Sequence, residues 1–155
     1  MTLSGLLIID KPVGPTSHDV VGRVRRVVGT RRVGHAGTLD PLASGVLLVC
    51  TGRATRLVEY LVGLDKIYET TIRLGRATTT YDAEGEVTAE RPVTATEADI
   101  LATLPAFRGA IRQRVPSYSA VKRDGKPLYE RARRGETIEL PERDVMIHAL
   151  DLLAY

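Results

Sequence analysis

The regular spacing of apolar residues breaks off at residues 33–44, and this interruption constrains the fold more than any other feature. The segment, VGHAGTLDPLAS, holds two glycines, one proline and few large apolar side chains. This composition predicts a long loop, and a loop of this length inside a compact chain is usually functional. The patterns on either side predict a helix before it and a strand after it.

The segments around this loop have the spacing of a strand, a helix and a second strand. The apolar run at 5–9 predicts a short buried strand, and the run at 46–50 predicts a central strand. Between them, valines recur at helical spacing over 20–28, and we expect Ser17 to cap this helix and Gly29 to end it. Because valine is a poor helix former, tertiary packing must stabilise the helix.

The remainder of the chain predicts further helices and strands. They are helices at 53–64, 96–104 and 127–134, strands at 66–74, 87–90, 110–115 and 145–153, a polar loop at 75–85 and an Asp-Gly turn at 124–125. Thr96 and Asp99 have the spacing of a capping box, and Ile100, Leu101 and Leu104 form the expected buried stripe of that helix. At 155 residues, the chain is long enough for roughly one domain.

Basic residues are distributed unevenly, although the net charge is only +3. Five arginines and no acid lie in residues 23–32, nine Lys and Arg residues lie in 105–134, and the stretch 82–104 is acidic. All but four of the 22 basic residues are arginine, which is favoured where a phosphate is bound by two hydrogen bonds. The same distribution fits solvated helix faces, so charge alone leaves phosphate binding and an ordinary polar surface equally open.

Several classes of site are excluded by what the sequence lacks. A single cysteine excludes an intramolecular disulfide and a multi-cysteine zinc site, and the three histidines do not have the spacing of metal ligands. There is no Walker loop, dinucleotide fingerprint or nucleophile elbow. No apolar run reaches the roughly 18 residues that span a bilayer, and the N-terminus lacks the basic region of a signal peptide. We therefore expect a cytoplasmic protein.

Asp40 is the strongest candidate for chemistry when the residues are considered alone. It lies in the 33–44 loop with apolar neighbours, and a carboxylate in such a setting is a candidate nucleophile or general base. Aspartate before proline is also common in simple turns, which leaves a purely structural role open. His35 in the same loop and Tyr68 on a predicted strand are likewise open to a surface or a packing role.

The loop sequence GHAGTLDPLASGVL (34–47) resembles the signature of the TruB family of tRNA pseudouridine synthases. Further blocks, in order along nearly the whole chain, resemble the same family. They are GLLIIDKPVGPTSHDVV (5–21), DKIYETTIRLG (65–75), DAEG (82–85) and VPSYSAVKRDGKPLYERARRG (115–135). Other pseudouridine synthases share only a short aspartate motif, so the resemblance is specific to the TruB branch.

The resemblance implies an isomerase that modifies RNA. Members break the N1–C1′ glycosidic bond of a uridine, turn the uracil and rejoin it through C5, with no net redox change and no need for a metal or a cofactor. The implied substrate is the T-loop uridine of tRNA at position 55, which must be flipped out of its folded loop to be reached. The implied partner is the T-arm stem-loop of tRNA, with no membrane and no obligate protein partner, and we expect a monomer.

The resemblance also implies roles for individual residues. Asp40 matches the family's catalytic aspartate, which forms a covalent bond with the base or with C1′. Tyr68 matches the active-site tyrosine, a stacking partner for the flipped base and a possible proton acceptor. His35 matches the histidine that occupies the space left in the RNA by the extruded nucleotide.

Several basic residues match positions that imply RNA binding or support of the loop. Lys11 belongs to the opening Lys-Pro motif, which supports the active-site loop, and it is also a candidate RNA contact. Lys122 ends the Ser-Ala-x-Lys block (119–122), which is expected to contact the RNA backbone or to be structural. Arg31 and Arg32, from the first basic cluster, are expected to bind RNA.

The implied fold is α+β, with a mixed, mostly antiparallel sheet flanked by helices, as an incomplete pseudouridine synthase fold. Family members are about twice as long, and their later half supplies an arginine that pairs with the catalytic aspartate and often a small RNA-binding domain. The chain also stops in an apolar stretch. Residues 1–155 are therefore expected to be the N-terminal portion of a catalytic domain, poorly active alone.

Two alternatives stay open. One is a non-catalytic tRNA-binding fragment, which would bind tRNA with a steep salt dependence and form no product. The other is a related branch that acts inside guide-RNA particles on ribosomal RNA. The loop signature and the lack of basic extensions favour the stand-alone enzyme over this branch.

Overall fold

The computed structural model describes residues 3–116 and 140–155, together with the backbone of 122–123 and 126–127. The turn predicted at 124–125, and the helix predicted at 127–134 apart from its first residue, lie outside this part. The chain divides into two compact units, Met1–Glu69 and Thr70–Tyr155, which are described separately. Among the described residues, no helix is both long enough and apolar enough to cross a membrane.

The first unit is built on a three-stranded antiparallel sheet. Its strands lie in the order β1-β3-β2, with bounds β1 (Gly5–Lys11), β2 (Val33–Ala36) and β3 (Gly45–Thr51). The strands predicted at 5–9 and 46–50 are confirmed, and β3 is central as expected. The prediction that the first strand is buried is wrong, because the described residues leave its outward face uncovered and Ile8 is 73% exposed.

The first four residues of the predicted 33–44 loop form β2 instead. Composition favoured a loop here, but Val33 is buried in the core and the backbone pairs with β3, so that Gly34 lies opposite Cys50. Strand pairing therefore outweighs the conformational freedom that glycine brings. The loop that remains, residues 37–44, connects β2 directly to β3.

Helix α1 (Ser17–Val28) supplies half of the core of the first unit. The buried cluster joins three helix valines to three sheet residues: Val20, Val21, Val24, Val33, Leu47 and Val49. Burial of each such side chain contributes roughly 1.5–3 kcal/mol, so packing supplies the stability that valine does not provide through helix propensity. Cys50 is also buried, and this burial raises the pKa of its thiol.

The ends of α1 are set by local hydrogen bonds. Gly29 ends the helix in the left-handed conformation with φ 64°, as predicted. The predicted N-cap is wrong by one residue, because Thr16 and not Ser17 occupies it. The Thr16 hydroxyl accepts a hydrogen bond from the Asp19 N–H, and the Asp19 carboxylate accepts one from the Thr16 N–H, which completes a capping box.

A single helix predicted at 53–64 is divided in the structure into a 3₁₀ helix (Gly52–Leu57) and the short helix α2 (Val58–Val62). Gly52 has φ 57°, and a Cβ there would lie 2.7 Å from the Leu3 carbonyl oxygen, so the turn requires glycine. Thr51 provides no side-chain hydrogen bond to cap the helix. The tight 3₁₀ start follows from this close approach of the chain to itself.

The strand predicted at 66–74 does not form, and residues 65–73 are irregular. In the described part of the chain, no strand pairs with this segment, and an unpaired backbone gains nothing from an extended conformation. Ile67 is fully exposed and Ile72 is 75% exposed. The alternating pattern is present in the sequence, but the described residues offer it no sheet to join.

The described part of the second unit contains three two-stranded antiparallel ribbons and one α-helix. The ribbons pair β4 (Arg76–Thr78) with β5 (Val87–Glu90), β6 (Gly109–Arg114) with β9 (Glu142–Ile147), and β7 (Lys122–Arg123) with β8 (Lys126–Pro127). Helix α3 (Glu97–Thr103) begins with the predicted capping box of Thr96 and Asp99, and a 3₁₀ turn (Leu104–Phe107) follows it.

For this unit, the sequence predicts the type of most elements correctly but not all of their bounds. The strands at 87–90 and 110–115 are confirmed, whereas the last strand ends at Ile147 instead of continuing to 153, and the predicted loop 75–85 contains β4. The predicted buried stripe of α3 is wrong, since Leu101 is 48% exposed. The α+β class and the antiparallel character of the sheet are confirmed.

Candidate active site

Asp40 lies on the exposed surface of the loop 37–44. Glycines with positive φ stand at the loop's start and just beyond its end: Gly37 has φ 101° and Gly45 has φ 124°. Within the loop, the Ala43 N–H donates to the Asp40 carbonyl at 3.0 Å and closes a turn. The carboxylate is therefore accessible to a ligand while its backbone takes part in an ordered turn.

The residues on both sides of Asp40 are bonded to the segment that leads into α1. The Leu39 N–H donates to the Ser17 hydroxyl oxygen at 2.9 Å, and that hydroxyl donates to the Leu39 carbonyl at 3.1 Å. On the other side, the Gly14 N–H donates to the Pro41 carbonyl at 2.8 Å. The backbone of Asp40 is thus held from both directions by one short stretch of chain.

Lys11 shapes that stretch from inside. Its side chain is fully buried, and its ammonium donates to the carbonyls of Pro12 and Pro15, each at 2.9 Å. A buried ammonium requires such partners, because desolvation of an unpaired charge is costly. The geometry favours support of the turn at 12–15 over a direct contact between Lys11 and RNA.

His35 is oriented by the chain on which it lies. Its Nδ1 lies 2.6 Å from the Gly37 carbonyl oxygen, and because a carbonyl only accepts, Nδ1 carries the hydrogen of this bond. In the neutral ring, Nε2 is then left as an acceptor. The half-buried ring lies opposite Val49 in the β2–β3 pair and is five positions before Asp40 in the sequence.

Tyr68 lies in the irregular segment 65–73 and is 69% exposed. Within the described part of the chain, its ring and hydroxyl make no hydrogen bond or ring contact. The segment does approach the loop: Lys66 Cε lies 3.8 Å from the place of a Cβ on Gly37. The Lys66 ammonium donates to the carbonyls of Val62 and Leu64 and so fixes the start of the segment.

Arg31 and Arg32 are exposed in the tight connection between α1 and β2. Their carbonyls are occupied, since the Val33 N–H donates to Arg31 and the Gly52 N–H donates to Arg32. Arg25, from the same cluster, donates instead to the Val33 carbonyl at 3.1 Å. The cluster is therefore divided between an internal role for one arginine and exposed guanidinium groups for others.

The exposed face of α1 adds an open groove of about 510 Å³ to this basic surface. Arg23, Arg26 and His18 line it together with Asp19. The pKa of the Asp19 carboxyl is lowered, chiefly by the hydrogen bond from the Thr16 hydroxyl. The acid in this groove is thus already engaged in the helix cap.

Some predicted residues lie outside the described part of the chain. Residues 119–121 of the Ser-Ala-x-Lys block lie outside it, and so does the side chain of Lys122, whose backbone belongs to β7. Among the described residues, no group of three or more His, Cys, Asp or Glu side chains could hold a metal ion.

Sequence reasoning missed the tethering residues Ser17 and Gly14. The sequence predicts Ser17 as the cap of α1, and a hydroxyl used in the cap would not be available for a contact with the loop. The signal that could have found it is the Thr16-x-x-Asp19 spacing, which equals the Thr96-x-x-Asp99 spacing of the box predicted correctly at α3. With the cap assigned to Thr16, the hydroxyl of Ser17 becomes available for another partner.

Comparison with known proteins gives one consistent family. The family model described as TruB family pseudouridylate synthase (N terminal domain) matches residues 25–155. The chain is 54% identical over 153 residues to tRNA pseudouridine synthase B of Pseudomonas fluorescens (strain Pf0-1), covering 99% of this chain and 50% of that protein. It is 55% identical over 152 residues to the protein of the same name from Thermobifida fusca (strain YX), covering 97% and 52%. The chain thus spans about half the length of the curated relatives it matches.

A solved structure gives the same result for the fold. A chain from a crystal structure of a Cbf5-Nop10-Gar1 complex superposes with a TM-score of 0.52 and 31% sequence identity. The match covers 79% of this chain and 32% of that chain. The arrangement of strands and helices described above is therefore shared with a part of a larger protein.

Proposed function

Because this chain belongs to the TruB family of pseudouridylate synthases, we propose that it is the N-terminal portion of a synthase that converts the T-loop uridine of tRNA to pseudouridine. Relatives named tRNA pseudouridine synthase B, at 54% and 55% identity, support tRNA as the substrate. The observation that carries the proposal is the exposed Asp40 on a loop whose backbone is bonded on both sides of it. A carboxylate held in this way suits a nucleophile.

The proposed reaction is an isomerisation that keeps every heavy atom of uridine and leaves its composition unchanged. The N1–C1′ bond breaks, a C5–C1′ bond forms, the C5 hydrogen leaves as a proton and N1 gains one. Asp40 forms a transient covalent bond, either with the base or with C1′, and both routes need a carboxylate that is open to the flipped nucleotide. No step requires an oxidant or a reductant.

Tyr68 and His35 complete the proposed site. The exposed ring of Tyr68 is available to stack on the flipped base, and its hydroxyl is the proposed acceptor of a proton. His35, with Nδ1 bonded to the Gly37 carbonyl, presents Nε2 to the RNA. Lys11 supports the site from within the protein, because its ammonium is already occupied by two carbonyls.

RNA phosphates are the proposed partners of the exposed Arg31 and Arg32 and of Lys122. Such contacts release counterions and make the affinity depend steeply on salt. We also propose that the enzyme is cytoplasmic and that it acts as a monomer without a metal or a cofactor. The relatives at 54% and 55% identity are named as tRNA synthases, which favours a tRNA substrate over ribosomal RNA.

Residues 1–155 alone are proposed to bind tRNA but to turn it over poorly. The family resemblance implies an arginine partner for Asp40 in the later half, and the curated relatives are about twice as long as the matched part. Without that partner, the carboxylate loses orientation and charge stabilisation. The alternative is a non-catalytic tRNA-binding fragment, which would bind tRNA with a steep salt dependence and form no product.

The experiment that tests the proposal is tritium release from a T-arm stem-loop RNA labelled at uridine C5. The complete protein is compared with its Asp40→Asn variant, with the exposed Glu59→Gln on α2 as a matched control. We expect release from the wild-type protein and from Glu59→Gln, and none from Asp40→Asn, whose RNA binding persists. Substantial release by Asp40→Asn would exclude the role of Asp40, and no release by the wild-type protein would favour the binding fragment.

A further inference from the structure

Ser17 makes two hydrogen bonds with one residue far away in the sequence. Its hydroxyl accepts from the Leu39 N–H at 2.9 Å and donates to the Leu39 carbonyl at 3.1 Å. The side chain is only 2% exposed. Both backbone groups of the residue immediately before Asp40 are therefore satisfied by a single buried hydroxyl.

These bonds are not required by the helix that Ser17 begins. The Thr16 hydroxyl already accepts from the Asp19 N–H, and the Asp19 carboxylate closes the capping box. A serine at a helix start usually serves as this cap. Because Thr16 performs that task, the hydroxyl of Ser17 is directed across to the loop instead.

The other side of Asp40 has a matching restraint. The Gly14 N–H donates to the Pro41 carbonyl at 2.8 Å. The Leu39 side chain also packs against the buried core of the first unit. Between these anchors, only the backbone of Asp40 itself lies without a bond to the segment 14–17, and its carbonyl is engaged by Ala43.

We infer that Ser17 is a positioning residue that fixes the backbone from which the Asp40 carboxylate projects. A reacting group gains much of its rate advantage from being held in place before the reaction, and small displacements are costly. Ser17 acts through Leu39 and touches no substrate. The inference rests on the proposed function for what Asp40 does, whereas the restraint on the loop is independent of it.

Removal of the hydroxyl has a defined consequence. In Ser17→Ala, the N–H and the carbonyl of Leu39 lose their shared partner in a half-buried setting, and such groups shift to find water or another partner. The segment from Leu39 to Asp40 then gains alternative positions. Binding of RNA by the exposed basic surface should change little, because Arg31 and Arg32 lie outside this contact.

The kinetic test compares Ser17→Ala with Thr16→Ala in the complete protein, with T-arm RNA as the substrate. We expect kcat to fall about 10- to 100-fold in Ser17→Ala, while KM stays within about twofold. Thr16→Ala removes the helix cap without touching Leu39, so it should lower the unfolding midpoint and leave kcat near the wild-type value. An equal fall of kcat in both variants would show a general loss of structure and would overturn the inference.

The second readout does not depend on activity. Amide hydrogen exchange of Leu39 should be slow in the wild-type protein and in Thr16→Ala, and clearly faster in Ser17→Ala. An unchanged exchange rate at Leu39, or an unchanged kcat in Ser17→Ala, would overturn the inference. If the wild-type protein does not turn over the RNA, the proposed function fails, and the exchange rate alone then decides whether Ser17 restrains the loop.

Discussion

Asp40 and Tyr68, the two residues proposed to act on the base, both belong to the first unit, but the segments around them are held in opposite ways. The loop 37–44 is bonded to the start of α1 on both sides of Asp40. The segment 65–73 forms no strand, and Tyr68 is 69% exposed without a hydrogen bond to any described residue. A segment with the composition of a loop is thus ordered, and one with the pattern of a strand is irregular.

The comparison of these two segments shows that a segment is ordered when its backbone groups have hydrogen-bond partners, whatever its local composition. Backbone N–H and carbonyl groups must be paired, and side chains from elsewhere can supply the pairing as well as a neighbouring strand can. Ser17 and Gly14 supply it to the loop. The proposal that this chain is half of an enzyme leads to a further expectation, that a strand from the later half pairs with 65–73.

The largest effect on the free energy of unfolding is expected from two lysines, one near each of the two segments. Both ammonium groups donate to two backbone carbonyls, but Lys11 is fully buried and Lys66 is exposed. We expect Lys11→Ala to lower the free energy of unfolding by about 2–4 kcal/mol, because it leaves a cavity. Lys66→Ala should cost less than about 1 kcal/mol, because water replaces the lost donor.

Urea denaturation of the two lysine variants measures this difference. Exchange rates of amides in the loop 37–44 should rise in Lys11→Ala and stay unchanged in Lys66→Ala. Equal losses of stability in the two variants would break the contrast between the two segments.

The elements most predictable from the sequence are those whose pattern and partners lie close together in the chain. Helix α1, with its valine stripe and Gly29, and the capping box at Thr96 need only local information. The tether from Ser17 to Leu39 spans 22 positions, and no periodicity encodes such a contact. The failed strand at 66–74 has the same origin, since alternation specifies a face but not a partner.

The candidate site residues show the same difference between what a local pattern predicts and what depends on distant contacts. The residue pattern makes Asp40, His35 and Tyr68 candidates and the family resemblance implies their roles, but neither shows how each residue is held. The burial of Lys11 could not be predicted, because a lysine is seldom buried and only the carbonyls of Pro12 and Pro15 make it tolerable here.

Variants of Tyr68 test whether its exposed segment serves binding and not folding. Tyr68→Leu should weaken T-arm RNA binding by about 1–3 kcal/mol through loss of stacking. Its free energy of unfolding should change by less than about 0.5 kcal/mol, as for other exposed positions. Tyr68→Phe keeps the ring, so it should bind normally and slow tritium release only if the hydroxyl accepts a proton.

A matched control for these variants is Tyr60→Leu on α2, since Tyr60 is 71% exposed in the same unit. Titration of fluorescent T-arm RNA measures the affinities. Equal weakening by the two leucine variants would remove Tyr68 from the proposed site.

Charge variants compare the connection between α1 and β2 with the irregular segment as RNA contacts. The double variant Arg31→Gln and Arg32→Gln, in that connection, should reduce the slope of log K against log salt by about one per phosphate contact. Arg73→Gln, at the end of the irregular segment, is the matched control and should leave the slope unchanged. A reduced slope in Arg73→Gln would instead extend the RNA path along 65–73 and narrow the difference between the segments.

The smallest expected effect is a difference in how acid changes the two helices: α1 is stabilised mainly by packing, and α3 mainly by its cap. Bonds from Thr16 and Thr96 lower the pKa of Asp19 and Asp99 below the ordinary 3.8, so each cap contributes stability above that value. The contribution is lost as pH falls through the lower pKa of the folded state. Because α1 supplies core valines and α3 buries no residue, acid should fray α3 while α1 remains helical.

Carbon chemical shifts followed from pH 5 to pH 2 report the two helices separately. In Asp99→Asn the acid response of the α3 shifts should be clearly smaller, because only Glu97 then titrates in its first turn, which distinguishes loss of this cap from general acid unfolding. Fraying of both helices at the same pH would mean that α1 also depends on its cap. In that case the start of α1, where Ser17 is bonded to Leu39 of the loop 37–44, would be held no better than the segment around Tyr68, and the contrast between the two segments would lose its physical basis.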